Sequence, residues 1–221
     1  MIRLRHLALA LTMALLCACA LGRPAGLVYT AGAQVETLSS PVSLSFSSSR
    51  GGMAGNGFMV YARPDRMRLV ILSPFGTTLS EVFVTGEQIT ILDPGKGYAY
   101  SGRSEELPDA PQFHAWRLVR WVMDVDPPGS VADDGAVERV DRLGLRERAQ
   151  FENGLLVTKT LDDGSEARYA GFVVMDGIPL ATEIVMKNPA GDRFRITLKE
   201  PELNAPLDPD VFTPHLDGLR L

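Results

Sequence analysis

The chain has 221 residues, of which 45% are hydrophobic and 22% charged, the balance of a folded globular protein and not of a disordered or multi-span membrane chain. Lys plus Arg number 22 against 27 Asp plus Glu, so the net charge is -5 and no nucleic-acid partner is expected. Two cysteines and three histidines are too few for a disulfide framework or a zinc ribbon, and no metal or cofactor is expected.

Arg3 and Arg5 precede an apolar run from Leu7 to Leu16. A short positive segment followed by about ten apolar residues is a secretory signal, too short to span a bilayer comfortably. Leu16-Cys17-Ala18-Cys19 then has the form of a bacterial lipobox: aliphatic, small, small, cysteine. Residues 1–18 are read as a lipoprotein signal peptide cleaved behind Ala18, with Cys19 as the acylated N-terminus. Cys17 is the worse candidate because Leu16 stands where a small residue is needed. Several acyl chains give durable membrane anchoring. Ala20 follows the cysteine where Asp would favour the inner membrane. The expected location is therefore the outer membrane, facing the periplasm.

Residues 19–40 are assigned to the acylated cysteine and a tether, small and poor in charge as far as residue 35. From Val42 the pattern has a period of two: Val42, Leu44 and Phe46 alternate with Ser43, Ser45 and Ser47, a half-buried strand. Ser48 to Gly52 breaks it. Strands are expected over 57–62, 66–72, 77–85, 88–93 and 97–101, separated by the turn chemistry of Pro64-Asp65, Gly86-Glu87 and Pro94-Gly95. Near residues 112–124, Phe113, Trp116, Leu118, Val119, Trp121, Val122 and Met123 are spaced by three and four, a helix with a wide apolar face. Pro127-Pro128-Gly129 stops it. Residues 129–143 are ambiguous. Strands resume over 145–151, 155–161, 167–175, 180–187 and 193–199, with Glu152-Asn153-Gly154 as a hairpin signal. The tail is rich in proline.

The expected fold is mainly β, in one domain over 41–221. It is an antiparallel sheet of about eleven strands, with short links between neighbours. A sheet that long must curl. The helix then sits on its concave side, as a lid on a half-open β-barrel.

Two stretches carry a family likeness: Leu72-Ser73-Pro74-Phe75-Gly76-Thr77-Thr78-Leu79-Ser80-Glu81, and Trp116-Arg117-Leu118-Val119-Arg120-Trp121-Val122-Met123. With the lipobox they resemble the LolB family of outer-membrane lipoprotein receptors, of LolA/LolB-type fold. That family has an Asn-Pro-Leu-Gly-Ser/Thr loop and an Arg-Gln-Trp-Ile helix at corresponding places. The resemblance implies an apolar cavity that holds lipoprotein acyl chains, taken from a LolA-like periplasmic carrier and placed in outer-membrane lipid. It implies that Phe75, where the family has Leu, touches the membrane. Ser73 replaces the family's Asn, the tail after Glu200 is longer than a minimal receptor needs, and the family's long N-terminal helix is not evident. These departures leave open a related lipoprotein with another cargo.

By this reading the cavity and lid are formed by Leu69, Ile71, Leu79, Phe83, Trp116, Trp121, Ile184 and Ile196. The facing of each strand is the weak point, since a one-residue slip swaps the whole set. Phe75 at its turn is either folded back on the sheet edge or exposed. Trp116 and Trp121, five apart, either pack the core or line the lid. Arg63, Arg66, Arg68, Arg117 and Arg120 could meet an acidic carrier or anionic headgroups, or simply be solvated faces.

No catalytic pattern emerges. His114 and His215 lie about 100 residues apart, no serine sits in a nucleophile elbow, and Gly95-Lys96-Gly97 lacks phosphate-loop spacing. Glu105-Glu106, Asp133-Asp134 and Asp162-Asp163 are loop carboxylates. The expected function is a monomeric acyl-chain acceptor and chaperone in lipoprotein localisation, not an enzyme. The rivals are a lipid-binding or envelope-sensing lipoprotein without transfer, and a periplasmic hydrolase.

Overall fold

Alternating side chains and tight turns build almost the whole molecule. The computed structural model describes residues 26–49, 51–108, 113, 116–131, 134–216, 218 and 220. The signal segment, Cys17, Cys19, His114, Asp133 and the expected start of the helix lie outside the described residues.

The strands are β1 Thr37–Ser48, β2 Gly51–Ala62, β3 Arg66–Leu72, β4 Thr78–Thr85, β5 Gln88–Asp93 and β6 Tyr98–Arg103. After the helix α1, Val119–Met123, come β7 Gly135–Val140, β8 Arg146–Glu152, β9 Leu155–Leu161, β10 Glu166–Met175, β11 Ile178–Lys187, β12 Arg193–Leu198 and the short β13 Glu202–Leu203. They form a 13-stranded sheet in the order β6-β5-β4-β3-β2-β1-β12-β11-β10-β9-β8-β7, with β13 on β1. Every strand pairing is antiparallel. Two hairpin meanders thus meet where β1 joins β12, with Val42 opposite Leu198 and Phe46 opposite Phe194. β6 and β7 are the free ends of this path, so the sheet is not closed. The long connection between those two ends carries α1 across the concave face. It is mainly β, a curled half-open barrel.

One cluster fills the concave side. Leu69, Val82, Val84 and Ile89 come from the first meander, Phe151, Leu156 and Tyr169 from the second, and Trp116, Val119, Trp121 and Val122 from the helical segment. The proline-rich tail packs on part of the outer face. Phe212, with Leu207 and Val211, packs on Val60 and Ala62. The Arg66 guanidinium lies 4.9 Å from the Phe212 ring centre. Ala99 N–H donates to the Arg220 carbonyl at 2.7 Å, where the tail reaches β6.

Several expectations change. There are two strands beyond the expected eleven. β7 arises within the ambiguous stretch 129–143, and β13 is a two-residue addition to β1. β1 starts at Thr37 and β2 at Gly51, where the sequence read as a break. The glycine-rich start of β2 has no apolar alternation to betray it. Phe113, Trp116 and Arg117 are also helical, and a turn at Leu118 separates them from the five residues of α1.

The facing of β4 is the main correction. Val82 and Val84 point into the core, opposite Leu69 and Met67. Phe83 stands on the other face with Leu92 and Ala99, and the Arg68 guanidinium lies 5.2 Å from its ring centre. Leu79 is largely exposed. Both faces of this strand carry apolar side chains because both are covered, one by the core and the other, at Phe83, by Leu92, Ala99 and the Arg68 guanidinium. Alternation alone therefore cannot assign the inside.

Candidate functional site

Under the helix the two layers do not fully meet. A cavity of about 170 Å³ remains, with Met59, Met67, Ile184, Met186 and Ile196 as floor and Trp116, Val119, Val122 and Met123 as roof. Leu155, Leu156, Tyr169 and Leu180 close one side, and Ala33, Gln34 and Val35 one end. Polar lining is sparse: Gln34, Tyr61, Arg63 and Asp126. Gln34 Oε1 is buried without a hydrogen-bond partner among the described residues. Arg63 Nε lies 4.0 Å from the exposed Glu36 carboxylate.

Trp116, Ile184 and Ile196 line this cavity. Leu69, Ile71 and Trp121 belong to the surrounding core, whereas Leu79 and Phe83 are not brought to it. The sequence reading missed the methionines: four line the cavity, Met59, Met67, Met123 and Met186. Their flexible thioethers fill irregular apolar space. Their recurrence at strand and helix positions was the available signal.

The roof is fastened by a buried ionic network. The side chains of Glu147 and Lys159 are both 0% exposed, 3.2 Å apart. Lys159 Nζ donates to the Trp121 carbonyl at 2.8 Å and the Asp124 carbonyl at 2.9 Å. Tyr169 Oη donates to the Val122 carbonyl at 2.6 Å. These acceptors belong to the C-terminal end of α1, where carbonyls lack partners within the helix and positive charge is favoured. Trp121 Nε1 donates to Glu147 at 2.6 Å. Arg139 Nε donates to Glu147 at 2.9 Å, and Arg139 grips Asp126 through two further bonds at 2.7 and 2.6 Å. Burial pushes the Lys159 ammonium below the usual lysine range, partly opposed by Glu147. Hydrogen bonding to Asp126 holds the Arg139 proton more tightly than usual, with burial working against it. Removing one partner from such a pair typically costs about 3–5 kcal/mol. The signal was legible in part: Glu147 shares its strand face with Ala149 and Phe151, a charge in an inward position.

Residues 29–35 lie across one end of the half-barrel. Tyr29 Oη donates to the Asn153 carbonyl at 2.7 Å. Thr30 N–H donates to Gly177 at 2.9 Å and Gly32 N–H to Pro128 at 2.8 Å. The turns are shaped to receive this segment. A Cβ at Gly177 would meet Thr30 Oγ1 at 2.7 Å, and one at Gly154 would collide with the Tyr29 hydroxyl. Exposed hydrogen bonds of this kind contribute about 0.5–1.5 kcal/mol each.

Phe75 lies at the opposite end, beyond Leu72, and is 94% exposed. Ser73 Oγ accepts from the Phe75 and Thr77 amides, both at 3.2 Å, and Gly76 N–H donates to the Ser73 carbonyl at 3.0 Å. The ring is presented outward, not folded back. Three of the arginines have structural work: Arg66 on Phe212, Arg68 on Glu81 at 2.7 Å, and Arg117 on the Leu107 carbonyl. Among the described residues no helix is long and apolar enough to cross a membrane, and no group of three acidic, cysteine or histidine side chains could hold a metal ion.

An uncrossed half-barrel with a helix over its hollow defines the class: the chain has the LolA-type fold. No protein-family profile and no curated protein matches it. Solved structures do. A DUF1329 family protein from Desulfovibrio piger superposes with a TM-score of 0.59 at 11% identity, over 80% of this chain and 90% of that one. A LolA superfamily protein from Nitrosomonas europaea gives 0.54 at 11% identity, over 81% and 90%. A domain proposed to belong to an outer-membrane lipoprotein-sorting protein, from Vibrio parahaemolyticus, gives 0.58 at 7% identity, over 80% and 89%. At these identities the likeness is one of fold.

Proposed function

We propose that this chain is a lipid-anchored acceptor that takes acyl chains of lipoproteins into the cavity beneath α1 and helps place them in the outer membrane. The observation that carries this is the cavity itself. It is walled almost wholly by aliphatic, aromatic and methionine side chains between a sheet and a helix. A neighbour proposed to sort outer-membrane lipoproteins has the same fold, which supports the choice of ligand. The polar groups Gln34, Tyr61 and Arg63 gather at the end crossed by residues 29–35, suited to amide and ester carbonyls of a head group. Cys19 supplies the anchor in this reading. Six residues lie between it and Gly26, seven chain steps with a reach of at most about 25 Å. The tether thus keeps the domain close to the membrane. Phe75 serves as a small wedge against lipid. Transfer from a LolA-like carrier needs no nucleotide, because a tenfold affinity advantage corresponds to only about 1.4 kcal/mol.

The test is transfer. The chain, incubated with a carrier loaded with lipoprotein, should strip the cargo from it. If the cargo stays on the carrier while acyl probes still bind the chain, the function is lipid binding without transfer. The almost wholly apolar lining, with Asp126 as its single carboxylate, favours that second reading over a hydrolase.

A further inference from the structure

A cavity of about 170 Å³ matches one that holds a benzene, about 150 Å³. A long acyl chain is several times larger, so a wall must move. The roof is held by a fully buried ion pair, three hydrogen bonds from Lys159 and Tyr169 onto its terminal carbonyls, and the Trp121 indole against Glu147. Residues 29–35 are held by one exposed side-chain bond and two backbone bonds to turns, and contribute only Ala33, Gln34 and Val35 to the lining. Val28, just before them, is 88% exposed.

We propose that residues 29–35 are a displaceable strap over the mouth of the cavity, and that a long acyl chain enters by lifting the strap while α1 stays fastened. The strap occupies one end of the hollow that the ligand needs, so the empty protein partly covers its own site. Of the three turns that receive it, those at Asn153 and Gly177 belong to the second meander and that at Pro128 to the connection between α1 and β7, while the strap runs directly into β1 at Thr37. Lifting it opens that end without disturbing a single strand pairing. This rests on the acyl-binding reading and goes beyond it by naming which wall opens.

The experiment uses the full chain in vesicles of phosphatidylethanolamine and phosphatidylglycerol. The probe is a short peptide bearing a palmitoyl chain with a photoreactive diazirine. Spin labels at Val28→Cys with Ser101→Cys report the strap, and at Arg120→Cys with Ser101→Cys the helix. At saturating probe the 28–101 distance should lengthen and broaden while 120–101 stays unchanged, and photolabel should appear on Met59 or Ile196. Tyr29→Phe combined with Thr30→Pro removes two strap bonds and should speed uptake about tenfold. Labelled cavity residues with a moving 120–101 pair and a fixed 28–101 pair would overturn the strap and leave acyl binding standing. No cavity label in a folded chain would overturn acyl binding, and the strap with it.

Discussion

Glu147→Leu should destabilise the fold more than Lys159→Met, and the double variant should recover part of the loss. Both side chains are 0% exposed and lie 3.2 Å apart. Removing Glu147 leaves a fully buried ammonium facing two carbonyls, with only the weaker influence of Asp141 as counter-charge, a loss of about 3–5 kcal/mol. Removing Lys159 is milder. Glu147 keeps Arg139 Nε at 2.9 Å and Trp121 Nε1 at 2.6 Å, so its charge stays paired. The loss is then mainly two donors onto the Trp121 and Asp124 carbonyls, about 1–3 kcal/mol. In the double variant the stranded ammonium is gone, and about 1–2 kcal/mol of the Glu147→Leu loss should return. Urea unfolding of the three variants and the parent, with tryptophan fluorescence and circular dichroism required to coincide, measures each difference. Equal losses for the two single variants, or a double variant no better than Glu147→Leu, would refute the account of the roof as fastened by a desolvated pair.

Ile196→Asp should weaken binding of an acyl probe by more than about tenfold, because it puts a charge in the cavity floor. Phe83→Ala, on the outer face, should reduce stability by up to about 3–5 kcal/mol, with little change in probe affinity per folded molecule. Phe75→Glu should leave the unfolding free energy from urea titration within about 0.5 kcal/mol of the parent, since the ring is exposed, yet reduce lipoprotein delivery into liposomes; normal delivery would exclude the wedge. Cys19→Ala should abolish acylation and release the chain from membranes, and mass spectrometry of the mature N-terminus decides it. Burial pushes the Tyr169 hydroxyl well above the usual value of 10.0, with Glu147 and Asp126 adding to the shift. The unfolded chain therefore loses this proton first, and stability falls as pH rises past about 10. The depressed Lys159 acts in the opposite sense below its own unfolded value of 10.5. Urea midpoints at pH 9 and 11 should show a smaller alkaline loss for Tyr169→Phe than for the parent.

Much of this architecture could be read from local pattern. Val42, Leu44 and Phe46 alternate with serines, and Phe194, Ile196 and Leu198 with Arg193, Arg195 and Thr197. The facing of both strands follows because one side is apolar and the other is not. Short polar turns made the neighbours antiparallel, and the spacing around Trp116 and Trp121 marked a helix. Where both faces are apolar, as with Val82, Phe83 and Val84, local pattern is silent. Only the tertiary packing of the outer surface, with Leu92, Ala99 and the Arg68 guanidinium against Phe83, decides that it belongs there. Glu147 could be seen as a charge on an inward face, but Lys159, its partner, lies on the neighbouring strand, and their meeting depends on register. The strap is the extreme case. Small residues of low charge read as a tether, and nothing local distinguishes a free tether from one docked over three distant turns. Its place depends on closing contacts such as Thr30 with Gly177, between residues far apart along the chain. A side chain's propensity and period belong to its own neighbourhood, whereas the partner it meets across a curled sheet is set only when the whole sheet has formed.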